Sequence, residues 1–247
     1  MIQLTKNQAI PATLQSDAVS DELKKLQAIV DNGGQPTYKD FKSNLYGSDD
    51  VRTQLLHDQH EKCIFCECTL LDKEGGEVEH FRPKTGCRQD DSKGNTVKPA
   101  YHQLAYDWNN LSLSCHACNR RKSTFFPLEN PADRFNMGAE IPLLINPYQE
   151  NPADYIEFRQ AKLFPHTDAD GSKDEKGRLT IKYLGLNRKD LVEKRRRALN
   201  KFINAMNRQN LSFDQFLQQE VEDEINDGRT AESIEHYGMF VNQKYKF

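Results

Sequence analysis

Four cysteines occur as two closely spaced pairs. Cys63 and Cys66 form one C-x₂-C pair, and Cys115 and Cys118 form a second after 48 intervening residues. Each pair places two thiolates on one side of a tight turn, and two such pairs complete the tetrahedral four-sulfur shell that zinc prefers. A closed shell leaves no position for a substrate, so the sequence predicts a structural zinc ion.

Two further cysteines, Cys68 and Cys87, have no partner at metal-ligand spacing. We interpret both as reduced thiols, because disulfides are rare in intracellular proteins. His116, inside the second pair, could replace one thiolate as a ligand. A redox dithiol would account for one pair but not for the other.

A second group of polar residues could hydrolyse a phosphodiester. Glu79 and His80 follow the first cysteine pair, Asn110 precedes the second, and Asn119 and Lys122 follow it. Hydrolysis needs a base that activates water and a cation that neutralises charge on the phosphoryl and leaving oxygens. A neutral imidazole suits the first task, and a hard divalent ion held by oxygen ligands suits the second.

These residues must be positioned by a strand and a helix. Neighbours on a strand point to opposite faces, so we expect a twist or bulge at Glu79 and His80 that brings their side chains together. Asn119 begins the helix after the second cysteine pair, and Lys122 lies one turn later on the same face.

The order of these motifs over residues 63–128 resembles the HNH endonucleases, specifically the subtype with a four-cysteine zinc site. The catalytic unit of that family is a ββα-metal fold, so the resemblance implies a small ββα core. It also implies metal-dependent cleavage of nucleic acid, with DNA as the expected substrate and RNA such as tRNA as the second. The alternative is a zinc-ribbon module that binds nucleic acid or protein without cutting.

The resemblance implies roles for individual residues. His80 would be the general base, and Glu79 with Asn119 would hold magnesium or manganese. Asn110 would orient the hairpin and the imidazole.

Two positions depart from the family's usual pattern, because Glu79 replaces the more usual aspartate and Asn119 replaces a histidine. Other side chains could therefore supply a ligand: Asp107, His102 or His116. The resemblance also implies that Lys122, as a catalytic residue, or Arg121 would contact phosphate. Further basic residues around the motifs are candidate contacts for nucleic acid: Arg82, Lys84, Arg120 and Arg121.

Later motifs narrow the resemblance. The chain continues with Phe126-Pro127-Leu128, Asn146-Pro147-Tyr148 and Leu184-Gly185-Leu186-Asn187-Arg188. This order is similar to the HNH subunit of Septu-type anti-phage systems, the PtuB-like proteins, including those attached to retrons. The similarity covers about residues 50–206. It implies an ABC-type ATPase partner that restrains or licenses the nuclease, and sometimes a reverse transcriptase with its small DNA.

Charge is distributed unevenly along the chain. The whole chain has 34 basic and 37 acidic side chains. Residues 178–208 hold 10 basic and 2 acidic side chains, whereas residues 212–247 hold 3 basic and 8 acidic side chains. Apolar spacing predicts a helix from Leu191 to about Met206 with Asn187 as N-cap. Its polar side would carry possible phosphate contacts: Lys194, Arg195, Arg196 and Arg197. The alternative is that the basic and acidic segments pair with each other.

The remaining patterns predict a mostly helical α+β protein. Ser20 and Ser48 are candidate N-caps of two early helices. We divide the chain into an N-terminal helical extension (1–47), a zinc-stabilised nuclease core (48–148) and a C-terminal helical region (149–247). Residues 1–45 and 212–247, outside the similarity, are candidate docking surfaces for a partner.

Composition excludes several classes of protein. No apolar run reaches the roughly 20 residues of a membrane span, and the first residues lack the basic and apolar segments of a secretory signal. We therefore expect a soluble, cytoplasmic protein.

Overall fold

The computed structural model describes residues 1–70, 75–92, 94–226 and 234–242. The helices within these ranges are α1 (Asp17–Asp31), α2 (Ser43–Tyr46), α3 (Asp49–Asp58), α4 (His116–Lys122), α5 (Glu175–Tyr183), α6 (Lys189–Gln209), α7 (Phe213–Asn226) and α8 (Tyr237–Val241). The strands are β1 (Glu77–His80), β2 (Cys87–Arg88), β3 (Thr96–Val97), β4 (Leu111–Ser114), β5 (Ile156–Arg159) and β6 (Lys162–Pro165). Many helices and a few short strands are compatible with the predicted α+β class.

The described strands form antiparallel pairs, β1 with β4, β2 with β3 and β5 with β6. In the first pair Glu79 lies opposite Ser112 and His80 lies opposite Leu111, in an uninterrupted register. The predicted bulge at Glu79 and His80 is therefore wrong. Their side chains leave opposite faces of β1, as regular strand geometry requires.

Helix α4 follows β4 directly and packs against β1. Its N-cap is Cys115, so the second cysteine pair lies at the junction of strand and helix. Strands β1 and β4 come together although residues 81–110 separate them in the chain. The result is a strand–strand–helix unit, the order of elements that a ββα fold requires.

The helix starts differ in part from those predicted. Ser48 is the N-cap of α3, as predicted. Helix α1 begins at Asp17 after Ser16, so the prediction of Ser20 as N-cap is wrong. Asn187 does not cap α6 either, because its side chain hydrogen-bonds the backbone of Leu163.

The predicted basic helix is α6, and one of its arginines faces the core. Arg195 exposes 1% of its surface, and its Nη1 donates to the carbonyl of Leu186 at 2.7 Å. The prediction that Arg195 contacts phosphate is wrong. Its position lies four residues after Leu191 and four before Leu199, both buried, and therefore on the same helix face.

Helix α7 packs the start of the acidic segment against α6. The centre of the Phe202 ring in α6 lies 4.5 Å from the ring centre of Phe216 in α7. It also lies 4.5 Å from the ring centre of Phe240 in α8. These aromatic contacts tie the three C-terminal helices together. The rest of the predicted acidic tail, residues 227–233 and 243–247, lies outside the described residues.

One hydrophobic cluster draws side chains from all three predicted segments, including Leu26, Leu113 and Leu199. The boundaries at 47/48 and 148/149 therefore do not separate independent cores. No helix in the described parts of the chain is both long enough and apolar enough to cross a bilayer.

The first residues of the chain belong to this cluster. Met1, Ile2 and Leu4 are buried, and the amide of Leu4 donates to the carbonyl of Pro147 at 2.9 Å. The predicted N-terminal docking segment thus includes part of the core. A role of this segment in docking would therefore be combined with a role in folding.

Leu4→Ala is expected to lower the free energy of unfolding by about 2–3 kcal/mol, because it leaves a cavity in the core. Urea unfolding measures the change. The control is Gln3→Ala, since Gln3 is the exposed neighbour of Leu4 and surface changes usually stay within about 0.5 kcal/mol. Equal stability of the two variants would contradict the burial of this segment.

Candidate active site and metal centre

The four paired cysteines converge where the turn after α3 meets the start of α4. Their Sγ atoms all lie within 4.8 Å of one another, and those of Cys66 and Cys115 are 3.7 Å apart. A tetrahedral ion with Zn–S bonds of about 2.3 Å separates its sulfurs by about 3.8 Å. The cluster therefore has the donors and the spacing to hold a metal ion, as the sequence predicted.

The backbone around the first pair forms a tight turn that is anchored on β4. The amide of Cys63 donates to the carbonyl of Cys68 at 2.9 Å, and Glu67 donates back to Cys63 at 3.0 Å. The amide of Ile64 donates to Leu113 in β4 at 3.1 Å. Because β4 leads into the second pair, this anchoring brings the two pairs together.

Arg188 covers the sulfur cluster, a contact that the sequence did not predict. Its guanidinium nitrogens lie 3.5 Å from Sγ of Cys118, 3.8 Å from that of Cys66 and 3.9 Å from that of Cys115. Four thiolates around a divalent ion carry a net charge of about −2, and N–H donors from a cation stabilise that charge. Arg188 comes 70 residues after Cys118 in the chain, so local spacing gives no indication of it.

Glu79 is buried on the face of β1 that packs against α4. The Nζ of Lys122 donates to Oε1 of Glu79 at 2.6 Å and to the carbonyl of His80 at 2.9 Å. Burial raises the pKa of Glu79, and the charge of Lys122 acts in the opposite direction. The predicted phosphate contact through Lys122 is wrong for this arrangement, because its side chain is fully buried as the partner of Glu79.

His80, at the end of β1, is buried with both ring nitrogens engaged. Nε2 lies 2.9 Å from the carbonyl of Ala105, and Nδ1 lies 3.2 Å from Nζ of Lys84. A carbonyl only accepts hydrogen bonds, so Nε2 carries the proton and Nδ1 keeps its lone pair. Burial, and then the charge of Lys84, hold the pKa of His80 well below its usual value. The imidazole is therefore neutral at pH 7.

Asn110 connects the segments on either side of His80. Its Oδ1 accepts from the amide of Arg82 at 2.7 Å, and its Nδ2 donates to the carbonyls of Arg82 at 3.0 Å and Leu104 at 3.1 Å. The first segment follows His80, and the second carries Ala105, whose carbonyl holds the imidazole. These are the contacts that an orienting residue would make.

Lys6 supports the turn that contains Asn110, and sequence reasoning missed it. Its Nζ donates to the carbonyls of Trp108 and Leu111, on either side of Asn110. It also lies 4.1 Å from the centre of the Trp108 ring. Burial lowers the pKa of Lys6 to about 7. The N-terminal segment therefore helps to fix the backbone of the site.

Lys84 is a charged neighbour of His80. Its Nζ contacts the His80 imidazole and lies 4.8 Å from the centre of the Tyr46 ring. Burial lowers the pKa of Lys84 to about 8, while the negative charge of Glu79 raises it. Lys84 is thus a central charge of the site as well as a predicted contact for nucleic acid.

Glu77 is a carboxylate of the site that the sequence did not indicate. Nδ1 of His116 lies 2.8 Å from its Oε1, and Nδ2 of Asn119 donates to its Oε2. Glu77 and Glu79 share one face of β1, because residues two apart on a strand point the same way. Asn119 thus contacts Glu77, whereas Glu79 contacts Lys122. The alternation of strand side chains was the available signal for Glu77.

Arg82 is held by contacts within the protein. Its Nε donates to Oε2 of Glu140 at 2.8 Å, and its guanidinium lies 5.4 Å from the centre of the Phe126 ring. Glu140 is itself buried. These contacts hold the guanidinium of Arg82 against Glu140 and Phe126.

The other predicted contacts for nucleic acid lie on the surface. Arg120 and Arg121 are exposed on α4, next to the site. Arg196 and Arg197 are exposed on α6, where both pair with Glu193 at 2.8 Å and 3.3 Å. Surface pairs of this kind contribute little free energy and leave the arginines able to exchange partners.

Two alternative ligands named from the sequence have other partners. Asp107 accepts from the amide of Asn109 at 2.9 Å, which makes it a helix cap. His102 lies 3.2 Å from the carbonyl of Ala100 and 3.1 Å from Oε1 of Gln27. Both side chains therefore already have a structural role.

Comparison with known proteins identifies relatives of this chain, although no family model matches it. It is 34% identical over 197 residues to the Septu protein PtuB of Bacillus mycoides (strain KBAB4), covering 77% of this chain and 64% of that protein. It is 29% identical over 177 residues to the Septu protein PtuB of Bacillus thuringiensis, covering 71% and 52%. The chain thus spans about half to two thirds of the length of these relatives.

A further similarity is to a differently named Septu protein. The chain is 28% identical over 153 residues to the Septu protein PtuA of Bacillus mycoides (strain KBAB4). The aligned region is 58% of this chain and 20% of that protein. One segment of PtuA is therefore similar to this chain.

Proposed function

We propose that this chain, a homologue of the Septu protein PtuB, is an HNH-type endonuclease that hydrolyses phosphodiester bonds with a divalent metal ion. DNA is the proposed substrate, and RNA such as tRNA is the second candidate. The observation that carries the proposal is the His80 imidazole. It is held neutral, with a lone pair on Nδ1, at the end of a strand in a strand–strand–helix unit.

His80 has the contacts of a general base. A water molecule that replaced the Lys84 ammonium at Nδ1 would lose its proton to the ring as it attacks the phosphorus atom. The imidazolium that forms would be stabilised at Nε2 by the carbonyl of Ala105, 2.9 Å away. Asn110 holds the segment that carries this carbonyl, so it would act as a positioning residue.

Oxygen donors on the face of β1 that packs against α4 have the chemistry to bind a hard divalent ion. Glu79 and Asn119 would hold magnesium or manganese, with Glu77 on the same face as a further oxygen donor. The ammonium of Lys122 pairs with Glu79, so a metal ion would replace it as the partner of this carboxylate. When bound, the ion would neutralise charge on the phosphoryl and leaving oxygens.

The four-cysteine cluster would hold a structural zinc ion. Its sulfur spacing fits zinc, and Arg188 supplies hydrogen bonds that offset the excess negative charge. The ion would fix the turn after α3 to the start of α4. It would thereby hold the helix that carries Asn119 against β1.

The names of the relatives support a role in a Septu anti-phage system. The proposed partner is an ABC-type ATPase of such a system, which would restrain or license cleavage. A retron reverse transcriptase with its small DNA is a second possible partner. Arg120 and Arg121, exposed beside the site, and Arg196 and Arg197 on α6 are the proposed contacts for nucleic acid.

The proposal is tested by incubating the protein with plasmid DNA and with total RNA in Mg²⁺, Mn²⁺ or EDTA. Each reaction is run with and without the partner ATPase. Cleavage that needs the divalent ion supports the proposal, and the substrate that is cut identifies the class. Binding without cleavage under every condition would instead favour the zinc-ribbon module.

Lys84→Met is expected to lower the cleavage rate by about 10²-fold, a typical cost of losing one charge that stabilises a transition state. The reason is that the Lys84 ammonium lies 3.2 Å from Nδ1 of His80, so it would be close to a phosphate attacked by water from that nitrogen. Single-turnover cleavage under saturating metal measures the rate.

Lys24→Met is the matched control, because Lys24 is exposed on α1, where it pairs with Asp21. Lys84→Arg should retain part of the activity, since it keeps the charge. Faster cleavage by Lys84→Met would show instead that Lys84 blocks the nitrogen of His80.

A further inference from the structure

A second group of potential metal ligands lies beside the four-cysteine cluster. It consists of Cys68, Glu235 and His236, whose ligand atoms all lie within 4.8 Å of one another. Cys68 and His236 are buried, and the side chain of Glu235 is 46% exposed. Thiolate, carboxylate and imidazole are all common ligands of zinc.

The ring of His236 is oriented as in a metal ligand. Its Nδ1 lies 3.1 Å from the carbonyl of Cys66, so Nδ1 carries the proton and Nε2 keeps its lone pair. A hydrogen bond from the other ring nitrogen to a carbonyl is the usual support of a ligating histidine. Nε2 itself is buried and has no hydrogen-bond partner. A buried acceptor left unpaired is unfavourable, so a ligand at this nitrogen would remove a penalty.

Arg195 is a second buried residue of this region with unsatisfied hydrogen-bonding groups. Its Nε and Nη2 are buried without a hydrogen-bond partner, and the charges of Cys66, Glu67 and Cys68 act on its guanidinium. A protonated thiol is a weak acceptor, whereas a metal-bound thiolate is an anion that accepts hydrogen bonds from arginine. A metal-bound thiolate at Cys68 would therefore add negative charge that acts on this buried guanidinium.

We propose that Cys68, Glu235 and His236 bind a second divalent ion of the zinc class, with a water molecule as fourth ligand. One thiolate and one carboxylate neutralise a divalent charge, so the arrangement adds no net charge to the interior. The half-exposed Glu235 gives the ion a route from solvent.

The second ion would link residues 235 and 236, just before α8, to the turn that contains the first cysteine pair. Weaker bonds already join the two, because the amide of Gly238 donates to Oε2 of Glu67 at 2.8 Å and that of His236 donates to its carbonyl at 3.3 Å. The ion would connect α8 to the metal-binding turn directly. Cys68, which the sequence left without a role, would then be a ligand.

Metal content tests the proposal without any nucleic acid. The full chain is saturated with Zn²⁺ alone, freed of loose metal by gel filtration, and analysed by mass spectrometry of the metal. We expect about two zinc ions per chain in the unchanged protein and about one in Glu235→Gln and in His236→Gln. Cys87→Ser is the control, because Cys87 is a buried thiol away from both groups, and it should keep both ions.

Cobalt substitution distinguishes the two sites. The absorption of four-thiolate cobalt should persist in Glu235→Gln, which changes a half-exposed side chain and so should still fold. One ion per chain in the unchanged protein, with that absorption intact, would overturn the proposal and leave a buried water at His236. Equal metal content in the unchanged protein and both variants would overturn it as well, as would loss of both ions from Glu235→Gln.

Discussion

His80→Ala is expected to lower the rate of phosphodiester cleavage by about 10²–10⁴-fold, the usual contribution of a general base. The substitution removes the lone pair of Nδ1. Glu79 lies on the opposite face of the strand, bonded to Lys122. Initial rates on the substrate identified in the metal-dependence assay measure the effect.

His102→Ala is the matched control, because His102 is also buried and both its ring nitrogens have partners outside the site. Circular dichroism and zinc content establish that both variants fold. Unimpaired cleavage by His80→Ala, or cleavage by the unchanged protein that persists in EDTA, would refute the assigned mechanism. If His80→Ala lost nucleic-acid binding together with cleavage, a structural role of the ring would explain the result better.

Residues close together in the chain were the predictable part of the site. The four cysteines could be predicted as metal ligands because the C-x₂-C spacing of each pair favours a tight turn. The structure brings all four sulfurs together. The contacts of Arg188 and Lys6 could not be predicted from the sequence. Both residues come from distant segments of the chain, and a single basic residue has no characteristic spacing. Their positions depend on packing, which no local pattern specifies.

The errors in the fold have a common physical origin. Ser16 and Ser20 both fit an N-cap, and the earlier start gains a turn that buries Val19. Arg195 was assigned to the polar side of α6 by its residue type, although its spacing from Leu191 and Leu199 places it inside. In both cases burial of a helix face outweighed the local preference of one residue.

The same competition governs the charged residues of the site. Lys122 and Lys84 look like surface contacts for phosphate by type alone, yet both pack around Glu79 and His80. An interior that holds a carboxylate must neutralise it, and lysine is the cation that the chain itself can supply. Sequence patterns identify which groups are present but not which of them pair.

Cys118→Ser is expected to abolish the cooperative unfolding transition of the protein, or to lower its midpoint severely. Structural zinc contributes roughly 10–16 kcal/mol of apparent binding free energy at neutral pH, which equals or exceeds the whole stability of a typical domain. Cys118 is buried at the start of α4, so losing the ion releases the helix that carries Asn119. Calorimetry and metal analysis of the variant measure both losses.

Cys87→Ser separates loss of the metal from loss of a buried thiol. Cys87 is fully buried in a second hydrophobic cluster, so its replacement costs only the burial of a hydroxyl, about 1–3 kcal/mol. A strong chelator added to the unchanged protein should reproduce the effect of Cys118→Ser, since both remove the same ion. If Cys118→Ser unfolds like Cys87→Ser while the chelator has no effect, the four sulfurs do not hold a structural metal. The position of α4 would then depend on packing and on Arg188 alone.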